Sequence, residues 1–159
     1  MGLGMAALGR PGYINLNRNE ILGDASSRTV ESMREQAFQV MDRLFALDTT
    51  PWLDCARSYG LSEQFVGEYL RLNKISLNQV SSKWGYTYVA DFKVALPPGE
   101  QHETKDHSTE NFLKQLKETE QHLGEFLDLY QIHSATLESR ILTDRRAHKA
   151  LASCKKERG

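Results

Sequence analysis

Four residues define the chemistry open to this chain: Asp54, Tyr59, Lys83 and His133. Tyr59 belongs to the stretch Trp52-Leu-Asp-Cys-Ala-Arg-Ser-Tyr-Gly60. Trp52 to Ala56 reads as a short buried strand, because four of its five residues are apolar. Asp54 interrupts that run, and burying a carboxylate is costly unless it is paired and hydrogen-bonded. It therefore calls for a cationic partner. Lys83, near the end of the run Val80-Ser-Ser-Lys-Trp84, can supply one, and His133 closes a further apolar run. Taken singly, each residue has a structural explanation. Asp54 and Lys83 can be no more than a buried ion pair, and His133 a satisfied structural imidazole.

Taken together, they make a proton donor. A free tyrosine titrates near pH 10, too high for an efficient acid at neutrality. An ammonium beside it stabilises the phenolate and lowers that value. Asp54 would neutralise and hold Lys83, and His133 would hydrogen-bond and orient a carbonyl oxygen. This set suits general acid catalysis, and specifically reduction of a carbonyl with hydride from a cofactor. The sequence contains no Gly-rich phosphate loop to identify that cofactor.

Bringing the four together is the task of the surrounding elements. Gly2 to Leu8, small and apolar, is expected to be a first strand. Its G-x-G-x-x-A pattern matches the dinucleotide fingerprint only loosely, because no strand precedes Gly2 and Arg10-Pro11-Gly12 follows. The glycines are better explained by close packing. Gly9 to Ser27 reads as a loop. From Thr29, apolar residues at Val30, Met33, Ala37, Val40, Met41 and Leu44 recur at helical steps. Asp48 to Pro51 should turn into the strand bearing Asp54. Ser62 should cap a second helix that reaches about Leu72. Val80 to Trp84 is a third strand, followed by a long loop from Gly85 to His107. That loop carries Tyr86, Tyr88 and Phe92, which either wall an apolar pocket or pack the loop down. Ser108 or Thr109 caps a third helix that stops at Gly124. Leu127 to His133 is a fourth strand, and residues 143 to 156 form a last helix capped by Thr143 or Asp144. Strand and helix alternate four times, which predicts a parallel α/β sheet with helices outside it. Such strands lie about 4.8 Å apart, so residues at their C-terminal ends converge.

Bulk properties exclude several classes. The chain has 159 residues, 40% of them apolar, and a formal net charge of -1. No basic footprint for nucleic acid is present, and Lys155, Lys156 and Arg158 read as a solvated helix end. No apolar run approaches the ~18 residues of a membrane span, and the N-terminus lacks the build of a signal peptide. Cys55 and Cys154 form no spaced motif, so a cytoplasmic, reducing setting without a disulfide is expected. His102, His107, His122 and His148 show no metal spacing, and no metal is assigned.

The stretch Asp54-Cys-Ala-Arg-Ser-Tyr59-Gly60 with Ser62-Glu63, then Ser81-Ser82-Lys83-Trp84, then Asp128-Leu-Tyr-Gln-Ile-His133 resembles the aldo-keto reductase family. The three motifs come in the family's order, and the match runs from Gly2 to about Leu151. The resemblance implies a (β/α)8 TIM barrel that reduces aldehydes and ketones with NADPH. It would make Tyr59 the proton donor, tuned by Lys83 and Asp54, with His133 orienting the substrate. It also places Gly4, Met5 and Asp54 beside the cofactor and Tyr59, Trp84 and His133 against the carbonyl substrate. Met5 is not the usual residue there. A whole barrel takes about 250 residues, so this chain is expected to supply about four βα units of eight, as the N-terminal part of such a domain. A truncated form of a full-length enzyme is the favoured explanation. An open half-barrel would leave its outer strands unpaired and expose side chains such as Leu127 and Leu129. Self-association through those edges, or docking on a full-length relative, follows as the alternative to catalysis.

Overall fold

The computed structural model describes residues 1–13, 23–47, 50–76 and 79–158, with 157 and 158 described by their backbone alone. The expected loop from Gly9 to Ser27 and the turn from Asp48 to Pro51 lie partly outside these residues.

Four strands form one parallel sheet: β1 (Gly2–Gly4), β2 (Trp52–Asp54), β3 (Val80–Trp84) and a fourth, Leu127–Ile132. The fourth is β6 in chain order, because the excursion after β3 folds into an antiparallel hairpin, β4 (Tyr86–Tyr88) with β5 (Glu103–Lys105). That hairpin replaces the expected loop. The sheet order is β1-β2-β3-β6, with Gly4 opposite Asp54, Asp54 opposite Ser81 and Lys83 opposite Gln131. The pairing shifts by a residue between Val80 and Ser81.

The first strand is shorter than its apolar run suggests. It ends at Gly4, and Ala6–Gly9 coils into a single turn, α1, whose Gly9 amide donates to the Met5 carbonyl. Close packing explains Gly9 but not the two strand glycines. A Cβ on Gly9 would sit 2.0 Å from the Tyr59 carbonyl oxygen, whereas one on Gly4 would meet nothing within 4 Å.

Helices α2 (Val30–Leu47), α3 (Ser62–Leu72), α4 (Thr109–Leu123) and α5 (Arg145–Arg158) complete the described α-helices, beside three short 3-10 turns. Thr29 Oγ1 accepts from the Ser32 amide, Ser108 Oγ from Asn111 and Asp144 Oδ1 from Arg146 and Ala147, which satisfies helix-start donors. Ser62 is not a cap. It is the first helical residue of α3, and its hydroxyl donates back to the Ala56 carbonyl.

Alternation along the strands sorts side chains to two faces. Leu53, Cys55 and Val80 pack with Met33, Ala37, Met41, Phe65, Val66 and Leu70 under α2 and α3. Trp84 packs with Phe112, Leu116, Ile141 and Ala147 under α4 and α5. Each fully buried apolar side chain of this size stabilises the fold by about 1.5–3 kcal/mol. The opposite face carries Trp52, Asp54, Ser81 and Lys83. Leu129 is 43% exposed, as expected, but Leu127 packs against the main core. No helix among the described residues is long and apolar enough to cross a membrane.

Candidate active site

All four sheet strands run parallel, so their C-terminal ends share one rim. Asp54 is the last residue of β2, and Lys83 lies one from the end of β3. Asp54 pairs with Ser81, two residues earlier than Lys83. The lysine stem reaches back over that distance and sets Nζ 2.6 Å from Asp54 Oδ2 and 2.8 Å from the Cys55 carbonyl oxygen. Ser81 Oγ donates to Asp54 Oδ1 at 2.7 Å and accepts from Trp52 Nε1 at 2.9 Å. The carboxylate is thus paired, as its place in an apolar run requires. It is not sealed in: its side chain keeps 33% of its exposure, against 14% for Lys83.

Tyr59 stands on the turn between β2 and α3. Its amide donates to the Ala56 carbonyl, and the Leu61 amide donates to Gly9 across the turn. Gly60 makes this turn possible. Its φ is +60°, and a Cβ there would lie 2.4 Å from the Gly9 carbonyl oxygen. Below the turn, Arg57 bonds Glu63 at 2.6 Å and Glu118 at 2.8 Å. Glu63 also accepts from Ser82 and Thr119, so a carboxylate with only 2% exposure is fully satisfied. Above it, Arg10 Nη1 donates to the Ser58 carbonyl at 3.1 Å and to Glu103 Oε2 at 3.0 Å.

His133 follows β6. Its amide donates to the Trp84 carbonyl at 2.8 Å, one further rung of the β3–β6 ladder, and its own carbonyl accepts from His107 Nε2 at 2.8 Å. The imidazole meets the Tyr59 ring edge-on, 5.5 Å between centroids, with Ser58 Oγ 3.4 Å from Nδ1. Lys83 Nζ sits 4.8 Å from the centre of the Tyr59 ring. Asp54, Tyr59, Lys83 and His133 therefore form one cluster on the rim.

The electrostatics differ from expectation at Tyr59. Its pKa is pushed up to about 12, by burial first and then by the Asp54 carboxylate. The ammonium of Lys83, which lies over the ring and is matched by Asp54, does not bring it down toward neutrality. The His133 pKa is lowered, by burial first and then by Lys83. At neutral pH the phenol keeps its proton and the imidazole is mostly uncharged.

Two expected contact residues are corrected. Trp84 points away from the rim and is fully buried against Phe112, so it cannot touch a substrate there. The Met5 side chain is also fully buried, in the main core, which leaves only its backbone near the rim. Gly4 is exposed and pairs with Asp54, with open space where a Cβ would stand. Tyr86 of the hairpin, 5.1 Å from His133 between ring centres, faces the cluster, whereas Phe92 packs against the core. Ser81, Arg10 and Glu103 were not singled out by sequence reasoning. Arg10 alone had a signal, since it follows the first strand and so lies at the same rim.

No protein-family model and no curated protein matches the chain. Solved structures do. Two structures from Pseudomonas aeruginosa assigned to the aldo-keto reductases superpose with TM-scores of 0.65 and 0.67 at 21% identity. They cover 98% of this chain and 50% and 49% of their own. An aldo-keto reductase of Bacillus halodurans in its holo form superposes at 0.62 with 24% identity, over 99% of this chain and 42% of its own. The chain spans about half the length of the solved structures it resembles. It has the fold of the N-terminal half of an aldo-keto reductase barrel.

Proposed function

We propose that the chain carries the proton-donating part of an NADPH-dependent reductase of aldehydes or ketones, with Tyr59 as the acid. The clustering of Asp54, Tyr59, Lys83 and His133 on one rim carries this reading. The Tyr59 hydroxyl delivers a proton to the substrate oxygen as the carbonyl becomes an alcohol. A phenol raised to about 12 holds that proton throughout the neutral range. The Asp54–Lys83 pair holds the ammonium against the Tyr59 ring and so fixes the ring's position. His133 is neutral, and its Nδ1 faces Ser58, so Nε2 is the nitrogen free to donate to the carbonyl oxygen and orient it. Gly4 and Asp54 fit a flat cofactor ring, because no side chain covers Gly4 beside the carboxylate. When bound there, NADPH supplies hydride to the carbonyl carbon.

The test is turnover of a carbonyl substrate with NADPH by the 159-residue chain and by its Tyr59→Phe variant. Reduction by the parent, and its loss in a variant that folds normally, is the expected result. Equal activity in both would remove Tyr59 from the role.

A second reading is favoured by the sheet edges. Among the described residues β1 and β6 have no outer strand neighbour, and Leu129 stands exposed on the open face. On this reading the chain binds a second copy or a full-length relative through those edges. Saturable quenching of Trp52 fluorescence by NADPH favours the enzyme. Absent quenching with concentration-dependent mass favours the binding element.

A further inference from the structure

We infer that Arg10 and Glu103 form a positioning and tuning pair for Tyr59, fixing the turn that carries the phenol and setting how readily it yields its proton. This rests on the reading of Tyr59 as proton donor. Arg10 leaves α1 and is almost fully buried, with 8% exposure. One of its nitrogens holds both the Ser58 carbonyl, in the residue before Tyr59, and the Glu103 carboxylate on β5. The pair thus ties the Tyr59 turn to the hairpin. The same hairpin reaches the other side of the site. Tyr86 faces His133, and Lys105 Nζ bonds Thr136 Oγ1 at 2.9 Å, just beyond that histidine.

The charges around Tyr59 come from every element that meets it. Asp54 stands on β2, Lys83 on β3, His133 after β6, Arg10 and Tyr13 after β1, and Glu103 on β5. Lys83 is engaged by Asp54 and the Cys55 carbonyl and lies over the ring, 4.8 Å from its centre, with its charge matched by the Asp54 carboxylate. Arg10 is the cation that favours the phenolate, and Asp54, Tyr13 and Glu103 oppose it. Glu103 therefore offsets Arg10, and removing its charge leaves the guanidinium acting alone.

The experiment is a pH titration of the full chain labelled with 13Cζ-tyrosine, with the Tyr59 resonance identified by its absence in Tyr59→Phe. Glu103→Gln is expected to shift the Tyr59 midpoint to lower pH, and Arg10→Gln to shift it higher. Combining the two substitutions should bring the midpoint back toward the parent. Tyr69 and Tyr130, remote from the pair, should keep their midpoints, which a general loosening of the fold would not allow. If Arg10→Gln fails to fold, Glu103→Gln still decides, because it preserves shape at a partly exposed side chain. A Tyr59 midpoint unmoved in Glu103→Gln overturns the proposal. The titration needs no turnover. A chain that shows the shift but reduces no carbonyl keeps the pair and loses the reductase reading.

Discussion

At the scale of single residues, the site rests on a carboxylate and an ammonium that need each other. Lys83→Met leaves Asp54 with Ser81 and solvent as its remaining partners. The loss expected on breaking a fully buried pair is about 3–5 kcal/mol. Asp54 retains a third of its exposure, so solvent screening reduces this to about 1–2 kcal/mol, readable as a lower urea midpoint. Histidines add a pH dependence of definite sign. His133, His107 and His122 all have lowered pKa values, burial being the largest cause for each. The folded chain then binds fewer protons than the unfolded one. The stability they contribute is complete above the ordinary histidine value of 6.5 and is lost as pH falls through the folded values. Thermal unfolding should therefore show a lower Tm at pH 5 than at pH 7.5. Tyrosines act in the opposite direction. Tyr59 is raised to about 12, so its contribution holds below pH 10 and disappears as pH climbs through the folded value.

At the scale of elements, two further contacts help to set where Tyr59 stands. Gly9 of α1 touches the backbone of the Tyr59 turn, and Gly60 adopts a left-handed conformation inside it. Gly9→Ala would drive a methyl into the Tyr59 carbonyl. It should lower Tm and broaden the Tyr59 resonance together, whereas a methyl at the uncrowded Gly4 should leave Tm nearly unchanged. The other contact is the network below the turn. Glu63→Ala leaves Arg57 with Glu118 alone and takes the carboxylate acceptor from the Ser82 and Thr119 hydroxyls, and should cost about 1–3 kcal/mol in chemical denaturation. Elements with strong periodicity were readable in advance. Val80 to Trp84 forms the strand expected, and Met33, Ala37, Met41 and Leu44 bury the face expected of α2, whereas Val30 and Val40 of the same stripe are exposed. The hairpin in residues 85–107 was not readable. Its strands are three residues each and pair across fourteen intervening positions, so neither alternation nor a tight turn marks them.

At the scale of the whole molecule, the open sheet is the dominant feature. A parallel sheet is stable when both faces are covered, and among the described residues helices cover one. Leu129 is exposed on the other, beside the outer edge of β6. If the edges drive association, Leu129→Lys should shift sedimentation toward the monomer without lowering helix content. An unchanged distribution of masses would place any association elsewhere.

Residue order was enough for the parallel sheet with its outer helices and for naming the residues of the cluster. Strand–helix alternation implies parallel strands, and parallel strands bring their C-terminal ends to one rim, where Asp54, Lys83 and His133 can meet; the strand order that makes them neighbours is seen in the fold. Side-chain direction was less legible. Trp84 and Met5 stand next to site residues in the chain, but pleating turns Trp84 to the helix side and Met5 packs into the core. Local spacing cannot say which of two faces a strand will bury. The charge balance at Tyr59 was likewise decided by tertiary structure. It depends on where Lys83 Nζ comes to rest relative to the phenol and on Arg10 and Glu103, which are 93 positions apart and meet only in the folded chain.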